Sequence, residues 1–441
     1  MMNYIKYTGW LWLVFLYAGN GIAQPILPKM QAVEITLENN FDIRMTRNDI
    51  ERARNNADIL NSGYLPAVSA KAGMNYTLRN THSELQDGSS NNITGADTYL
   101  YSSSIGLNYT LFDGMGRKYN FDKLKESYGL SELQLRQTIE ITVLRLFSVY
   151  YEVARLSQNK INQAETVDIS RNRLLRAGYG YEYGQNTQLD VLNAEVDFNN
   201  DSIAYLNISQ ELDNTKRDLN VLLGRDVNEI FVVDTAIVYQ KGLTLEMLRE
   251  EALKNNVSVL QSESLLQNSK YDLGISKSGY VPKVYLNAGY NWDKSNFDQT
   301  NTLKYRALVG PVAGVNLSWN VFDGGYTKTR VQNAKISIEN QKIGVDQTKQ
   351  YLERDLNNAW GFYQNALFVL EAEKKNLDTN QRNFERTMDQ NKLGQITNIE
   401  FRQAQLNLLR AKLNYNKAKY LAKTAELALL KLSGDLMFAQ F

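Results

Sequence analysis

The sequence predicts an α+β membrane protein written twice in tandem, each half joining two membrane-length strands to a pair of very long helices. Three observations carry this prediction. Landmark residues recur in one order at a nearly constant offset. Four segments alternate between apolar and polar residues, the first of them strictly. Proline is almost absent from long stretches with helical periodicity.

The recurrence comes first, because an internal period fixes the architecture ahead of any local reading. Asn39-Asn40 returns as Asn255-Asn256, and Gly63-Tyr64-Leu65-Pro66 as Gly279-Tyr280-Val281-Pro282, each 216 residues on. Phe112-Asp113-Gly114 returns as Phe322-Asp323-Gly324, Gly184-Gln185 as Gly394-Gln395, and Gly224 as Gly434, each 210 residues on. The six-residue difference falls in a longer polar loop of the first half. The expected layout is therefore a first repeat over 24–226, a linker over 227–249 and a second repeat over 250–441. In each repeat a helical lead-in ends at Gly-Tyr-x-Pro. A strand hairpin follows, about 67–112 and 283–322, and the Phe-Asp-Gly turn then opens a helical hairpin, about 115–223 and 326–432.

The strands declare themselves by their period of two. Val68, Ala70, Ala72, Met74, Tyr76 and Leu78 fall on one face, with Ser69, Lys71, Gly73, Asn75, Thr77 and Arg79 on the other. Tyr99 to Leu111 repeats the theme, as do Val284 to Trp292 and Ala307 to Val321. These runs reach the roughly 9–11 residues that a tilted strand needs to cross a bilayer. Pro311 interrupts the fourth run and predicts a bulge or local break, because it has no N–H for a ladder. Four strands cannot close a barrel, since the smallest membrane barrels have about eight. An open edge in lipid would leave backbone groups unsatisfied, so several chains must contribute strands to one barrel.

The helices follow from spacing and from what is missing. Ile139, Val143, Leu146, Tyr150 and Val153 recur three and four apart, as do Leu352, Leu356, Ala359, Tyr363, Ala366 and Leu370. That is the seam of a helix packed in coiled-coil fashion. About 60 residues at 1.5 Å each make a rod on the order of 90 Å. The carboxylates scattered along these rods read as solvated faces.

Composition narrows the chemistry. The formal net charge is +1, which gives no footprint for nucleic acid. There are no cysteines, which excludes disulfides, thiolate metal sites, a cysteine nucleophile and a lipid anchor on cysteine. The single histidine, His82, lies in the polar loop of the first strand hairpin and reads as solvated. With no glycine-rich phosphate loop, metal-ligand cluster or nucleophile–base pair, no enzyme, metal or cofactor is expected. Lys6, the nine-residue apolar run Trp10 to Ala18 and Gly21-Ile22-Ala23 predict a secretion signal over 1–23. That run is about half the ~20 residues a membrane helix requires.

Taken together, the tandem repeat, the two Gly-Tyr-x-Pro elements, the two Phe-Asp-Gly turns and the tips at Tyr181–Leu192 and Lys392–Glu400 make the sequence resemble the TolC-like outer-membrane factor family. The resemblance covers essentially the whole mature chain. It implies a homotrimer in which three chains supply four strands each to one twelve-stranded barrel, continued by a long α-helical barrel with an equatorial belt near Val227 to Leu245. It implies the outer membrane of a Gram-negative bacterium, with outer-membrane lipid around the barrel. It further implies a passive channel, the exit duct of a tripartite efflux pump or a type I secretion system. The partners implied are a periplasmic adaptor (membrane fusion protein) and an inner-membrane RND or ABC pump. The rival reading is a periplasmic helical-hairpin adaptor, which accounts for the rods but not for the strands.

The resemblance also points to the tips. Asp190 and Glu400 stand at matching places just beyond them, where three chains would gather an acidic constriction; one turn on, Asn193 and Gln403 are neutral. The same two acids equally suit a first helical turn, where negative charge is favoured. Gly184, Gln185, Thr187, Gly394, Gln395 and Thr397 form the turns and the expected adaptor-docking surface.

Overall fold

The computed structural model describes residues 25–297 and 303–439. The expected secretion signal, 1–23, lies outside the described residues. The chain divides into two compact units, one built from Thr46–Arg136 and Val257–Tyr351, the other from the chain up to Met45, Gln137–Asn256 and the chain from Leu352.

The first unit carries a four-stranded antiparallel sheet. Its strands are β2 (Ala67–Glu84), β3 (Ser90–Phe112), β5 (Lys283–Phe297) and β6 (Tyr305–Ser318), in the order β2-β3-β5-β6. The register brings every alternating run into phase. Val68, Leu107, Ala288 and Ala313 share one rung; Ala72, Ser103, Trp292 and Val309 share another. One side of the sheet is therefore mainly apolar across all four strands, and among the described residues no other element covers it. Val68 is 66%, Ile105 59% and Val315 63% exposed. Tyr76 and Tyr99 meet across strands on this side, with ring centroids 4.9 Å apart.

Two details differ from the sequence expectation. β6 ends at Ser318, not near 322, and the Trp319 indole donates to the Tyr280 carbonyl at 3.1 Å. Pro311 makes no bulge: it pairs with Tyr290 in an unbroken register. The physical reason is that β6 is an edge strand of this chain's sheet, where a missing donor need not cost an internal rung. The irregularities lie instead at Arg79/Thr81 and Thr110/Phe112.

The Phe-Asp-Gly turns work by capping. Asp113 accepts from the Arg117 N–H at 2.8 Å, at the start of α3 (Gly116–Glu182). Asp323 accepts from the N–H and hydroxyl of Thr327, at 2.9 and 2.6 Å, at the start of α7 (Tyr326–Lys392). An aspartate here satisfies amides that the first helical turn leaves unpaired. Gly114 is left-handed at φ 68°, and a Cβ there would lie 2.2 Å from the Val281 side chain.

The second unit explains two further landmarks. Helices α1 (Lys29–Asn39) and α2 (Phe41–Asn56) meet at Asn40, whose side-chain amide donates to the Leu222 carbonyl at 2.9 Å. Asn256, between α5 (Leu245–Asn255) and α6 (Val257–Lys277), donates to the Leu432 carbonyl at 3.0 Å. Each asparagine thus closes the carboxyl end of a returning helix, α4 (Gln188–Leu223) or α8 (Asn398–Ser433). Helix α5 begins at Leu245 because Thr244 caps it, so the linker is helical before 249.

The core of this unit gathers Leu146, Phe147, Tyr150, Tyr151 and Val153 of α3 against Leu219, Leu223, Phe231 and Leu427. Each large apolar side chain buried here stabilises by roughly 1.5–3 kcal/mol. A short parallel pair, β1 (Ile26–Leu27) with β4 (Val232–Val233), is fixed by Tyr150, whose hydroxyl donates to the Leu27 carbonyl and accepts from the Asp234 N–H.

Not every charge on the rods is solvated. Lys423 and Glu426 are fully buried and paired at 2.6 Å. Lys423 also donates to the Val238 carbonyl at 2.7 Å, and Glu426 accepts from the Gln240 N–H at 3.1 Å. Burial on this scale is tolerated because each charge has its counter-ion and backbone partners.

Candidate functional site at the helical tips

Each tip is a helix end followed at once by a capped helix start. α3 ends because Gly184 turns left-handed (φ 71°), letting the Gln185 N–H reach back to the Gly180 carbonyl at 2.7 Å. α7 ends in the same way, with Gly394 at φ 68° and the Gln395 N–H on the Gln390 carbonyl at 3.0 Å. Glycine is preferred there because a Cβ disfavours the left-handed region.

The returning helices open with reciprocal caps. The Asp190 N–H donates to the Thr187 hydroxyl oxygen at 3.2 Å, and the Thr187 N–H donates back to the Asp190 carboxylate at 3.0 Å. In α8 the Glu400 N–H donates to the Thr397 hydroxyl oxygen at 3.2 Å, and the Thr397 N–H to the Glu400 carboxylate at 2.8 Å. This arrangement settles two orphan amides per helix. It also holds the charges on. Hydrogen bonds from the Thr187 hydroxyl and backbone keep Asp190 below its ordinary pKa, with help from the Asn398 side chain. The Thr397 backbone and hydroxyl do the same for Glu400.

Asn398, from the other tip, lines the same hollow as Asp190. Asp190, Asn193 and Gln403 line one hollow of about 540 Å³, together with Arg173, Arg176 and Asp197; Glu400 is not part of its wall. Glu400 and Gln403 are exposed, and Gln403 spends its amide on Asn407 at 2.8 Å. Gly184, Gln185, Thr187, Gly394, Gln395 and Thr397 are exposed.

Sequence reasoning missed a buried ion cluster beside this hollow. Arg402 donates to both carboxylate oxygens of Asp201, and Arg173 donates to Asp197 at 3.0 Å. Arg402 Nε lies 3.4 Å from Asp197, and the Ser170 hydroxyl donates to Asp201. The cluster ties α3, α4 and α8 together. Its one sequence signal was spacing: Asp197 and Asp201, four apart, must share a helix face.

A sheet with a bare apolar side, on a chain with two paired helical rods, is the make-up of an outer-membrane channel component. The chain belongs to the outer membrane efflux protein family, whose profile matches residues 32–225 and 248–435. Membership places it in the outer membrane. It is 22% identical to the outer membrane protein TolC of Vibrio cholerae over 279 residues, 63% of this chain and 60% of that protein. It is 19% identical to the outer membrane efflux protein BepC of Brucella suis over 403 residues, 90% and 83% of the two chains. Its fold is similar to that of the Campylobacter jejuni CmeC outer membrane channel, with a TM-score of 0.78 at 14% identity, covering 92% of this chain and 86% of that one.

Proposed function

We propose that this chain is one of three identical subunits of an outer-membrane exit duct. Each subunit contributes four strands to a twelve-stranded barrel in lipid, and the helical hairpins of three chains continue the path. The observation that carries this reading is the sheet's uncovered apolar side, in register over four strands whose outermost members, β2 and β6, have no partner on one edge among the described residues. Bare apolar surface of this extent needs lipid, and unpaired backbone edges inside lipid need neighbouring strands.

The chain is read as two structural repeats, 24–226 and 250–441, joined by an equatorial linker, 227–249. The matched caps Thr187–Asp190 and Thr397–Glu400 support that reading. The tips are the periplasmic entrance. Asp190 and Glu400 supply its negative charge, with Asn193 and Gln403 a turn above. Gly184, Gln185, Thr187, Gly394, Gln395 and Thr397 present the surface for a periplasmic adaptor, which joins the duct to an inner-membrane pump of the RND or ABC kind. The duct conducts passively, and the pump supplies the energy.

Planar-bilayer recording of the detergent-extracted full chain tests this. Discrete conductance steps are expected. Recovery of the protein in the soluble periplasmic fraction, with no conductance, would instead favour a periplasmic adaptor.

A further inference from the structure

The sheet's other side differs in charge as well as polarity. Following the register, the polar side carries Lys71 and Arg79 on β2, Lys283 and Asp293 on β5, and Arg306 on β6. Four cations face one acid, and none of the five forms an ion pair among the described residues. Arg79 and Arg306 lie toward the loop ends of their strands, Lys283 at the opposite end, and Lys71 between them.

Lys71 occupies a particular place. Its rung continues through Ser104, Asn291 and Gly310. Asp293 is two strands away and one rung further along, about 10 Å across and about 7 Å up the sheet, beyond a direct ion pair. Beside Lys71 the sheet is hollowed, with about 400 Å³ lined by Ser104, Asn108, Asn287 and Asn291 over bare glycine backbone. Gly289 keeps that floor low, since a Cβ there would lie 2.8 Å from the Ile105 carbonyl oxygen. The amides are themselves ordered, Asn287 donating to Asn108 at 2.5 Å and Asn316 to Asn287 at 2.8 Å. A lone ammonium above small residues and side-chain amides can receive a hydrated anion without first breaking a salt bridge.

We infer that the polar side of the sheet makes the outer-membrane part of the duct favour anions, with Lys71 its central determinant and Arg79 and Arg306 reinforcing it. The inference rests on the duct reading, in which the apolar side meets lipid and the polar side meets the passage. Cation rings select for anions by lowering their free energy in the pore. The preference is opposite in sign to that of the acids at the tips, so cargo meets negative charge at the entrance and positive charge at the exit.

The test is reversal-potential measurement on the reconstituted full chain under a potassium chloride gradient at low ionic strength, where the Debye length approaches about 30 Å. Lys71→Glu is expected to lower the chloride-to-potassium permeability ratio by about twofold or more. Lys71→Gln should lower it less, and Asp293→Asn should raise it. Adding Arg79→Glu and Arg306→Glu should deepen the effect, and salt near about 1 M, with a Debye length of about 3 Å, should erase it. Normal conductance with an unchanged ratio in every variant would overturn the inference and leave the duct reading standing. A wild-type chain that inserts but never conducts would remove the duct reading, and this inference with it.

Discussion

Arg402 of α8 holds Asp201 of α4 through both terminal nitrogens, at 2.7 and 2.8 Å, with 13% and 6% of the two side chains exposed. A bidentate guanidinium–carboxylate pair fixes orientation as well as distance. In its buried setting, the neutral replacement of one partner strands the other charge. Arg402→Met is expected to destabilise the tip region by roughly 3–5 kcal/mol. Hydrogen exchange should rise in the amides of α4 and α8 near these residues. The double variant Arg402→Met/Asp201→Asn should recover part of the loss; simple additivity of the two single changes would mean the pair is not coupled.

The two capped acids make a separate prediction about conduction. Asp190→Asn with Glu400→Gln removes the charges while leaving atoms able to accept from the Thr187 and Thr397 amides. Cation preference in single-channel recordings should fall. Because hydrogen bonds from these threonines hold both carboxyls below their ordinary pKa values, the wild-type preference should persist through about pH 5 and fade only in stronger acid. An unchanged preference in the double variant would remove the acidic constriction from the account and leave these acids as helix caps.

Two glycines at matching helix ends should respond differently to a methyl group. At Gly434 (φ 84°) a Cβ would lie 2.8 Å from the Asn255 carbonyl oxygen; at Gly394 (φ 68°) nothing lies within 4 Å. Gly394→Ala should cost only the backbone strain, on the order of 1 kcal/mol, whereas Gly434→Ala adds a collision with backbone. Thermal denaturation of the two variants should therefore show the larger loss at Gly434. Equal losses would mean that the α5–α8 junction yields easily.

Alkaline pH should weaken the folded state through its buried phenols. Burial pushes Tyr150 up to about 12 despite a hydrogen bond from the Asp234 backbone, and burial with the nearby Glu426 carboxylate pushes Tyr363 up to about 12. Burial raises Tyr239 and Tyr420 as well. A raised folded-state pKa means the native protein keeps protons that the unfolded chain has released. The contribution is therefore whole below about pH 10 and lost as pH climbs toward the folded values. Denaturation midpoints should decline from about pH 10 to 12, and Tyr363→Phe should flatten that decline. A profile unchanged by the substitution would show that Tyr363 plays no part.

Much of this was legible in the sequence, and the reasons are local. A period of two exposed the strands from Val68 to Leu78, and the three-and-four spacing from Ile139 to Val153 exposed α3, because both patterns depend only on backbone geometry. Asn39 and Gly224 were visible as landmarks, but not as partners. Their meeting, with the Asn39 carbonyl 2.4 Å from where a Gly224 Cβ would stand, is a contact between residues far apart in sequence. The spacing of Asp197 and Asp201 put them on one helix face, but the pairing of Asp201 with Arg402 and of Glu426 with Lys423 was illegible for the same reason: on a charged rod, only tertiary packing decides which carboxylate is solvated and which is locked. The acids at 190 and 400 stood out by position, and the structure adds their caps.

The most direct measurement is native mass spectrometry of the protein extracted from outer membranes in detergent. A particle of three chain masses that requires detergent to stay dispersed is expected, because each four-stranded sheet finds its missing neighbours only in other copies. A folded monomer, stable in water with its sheet intact, would contradict it.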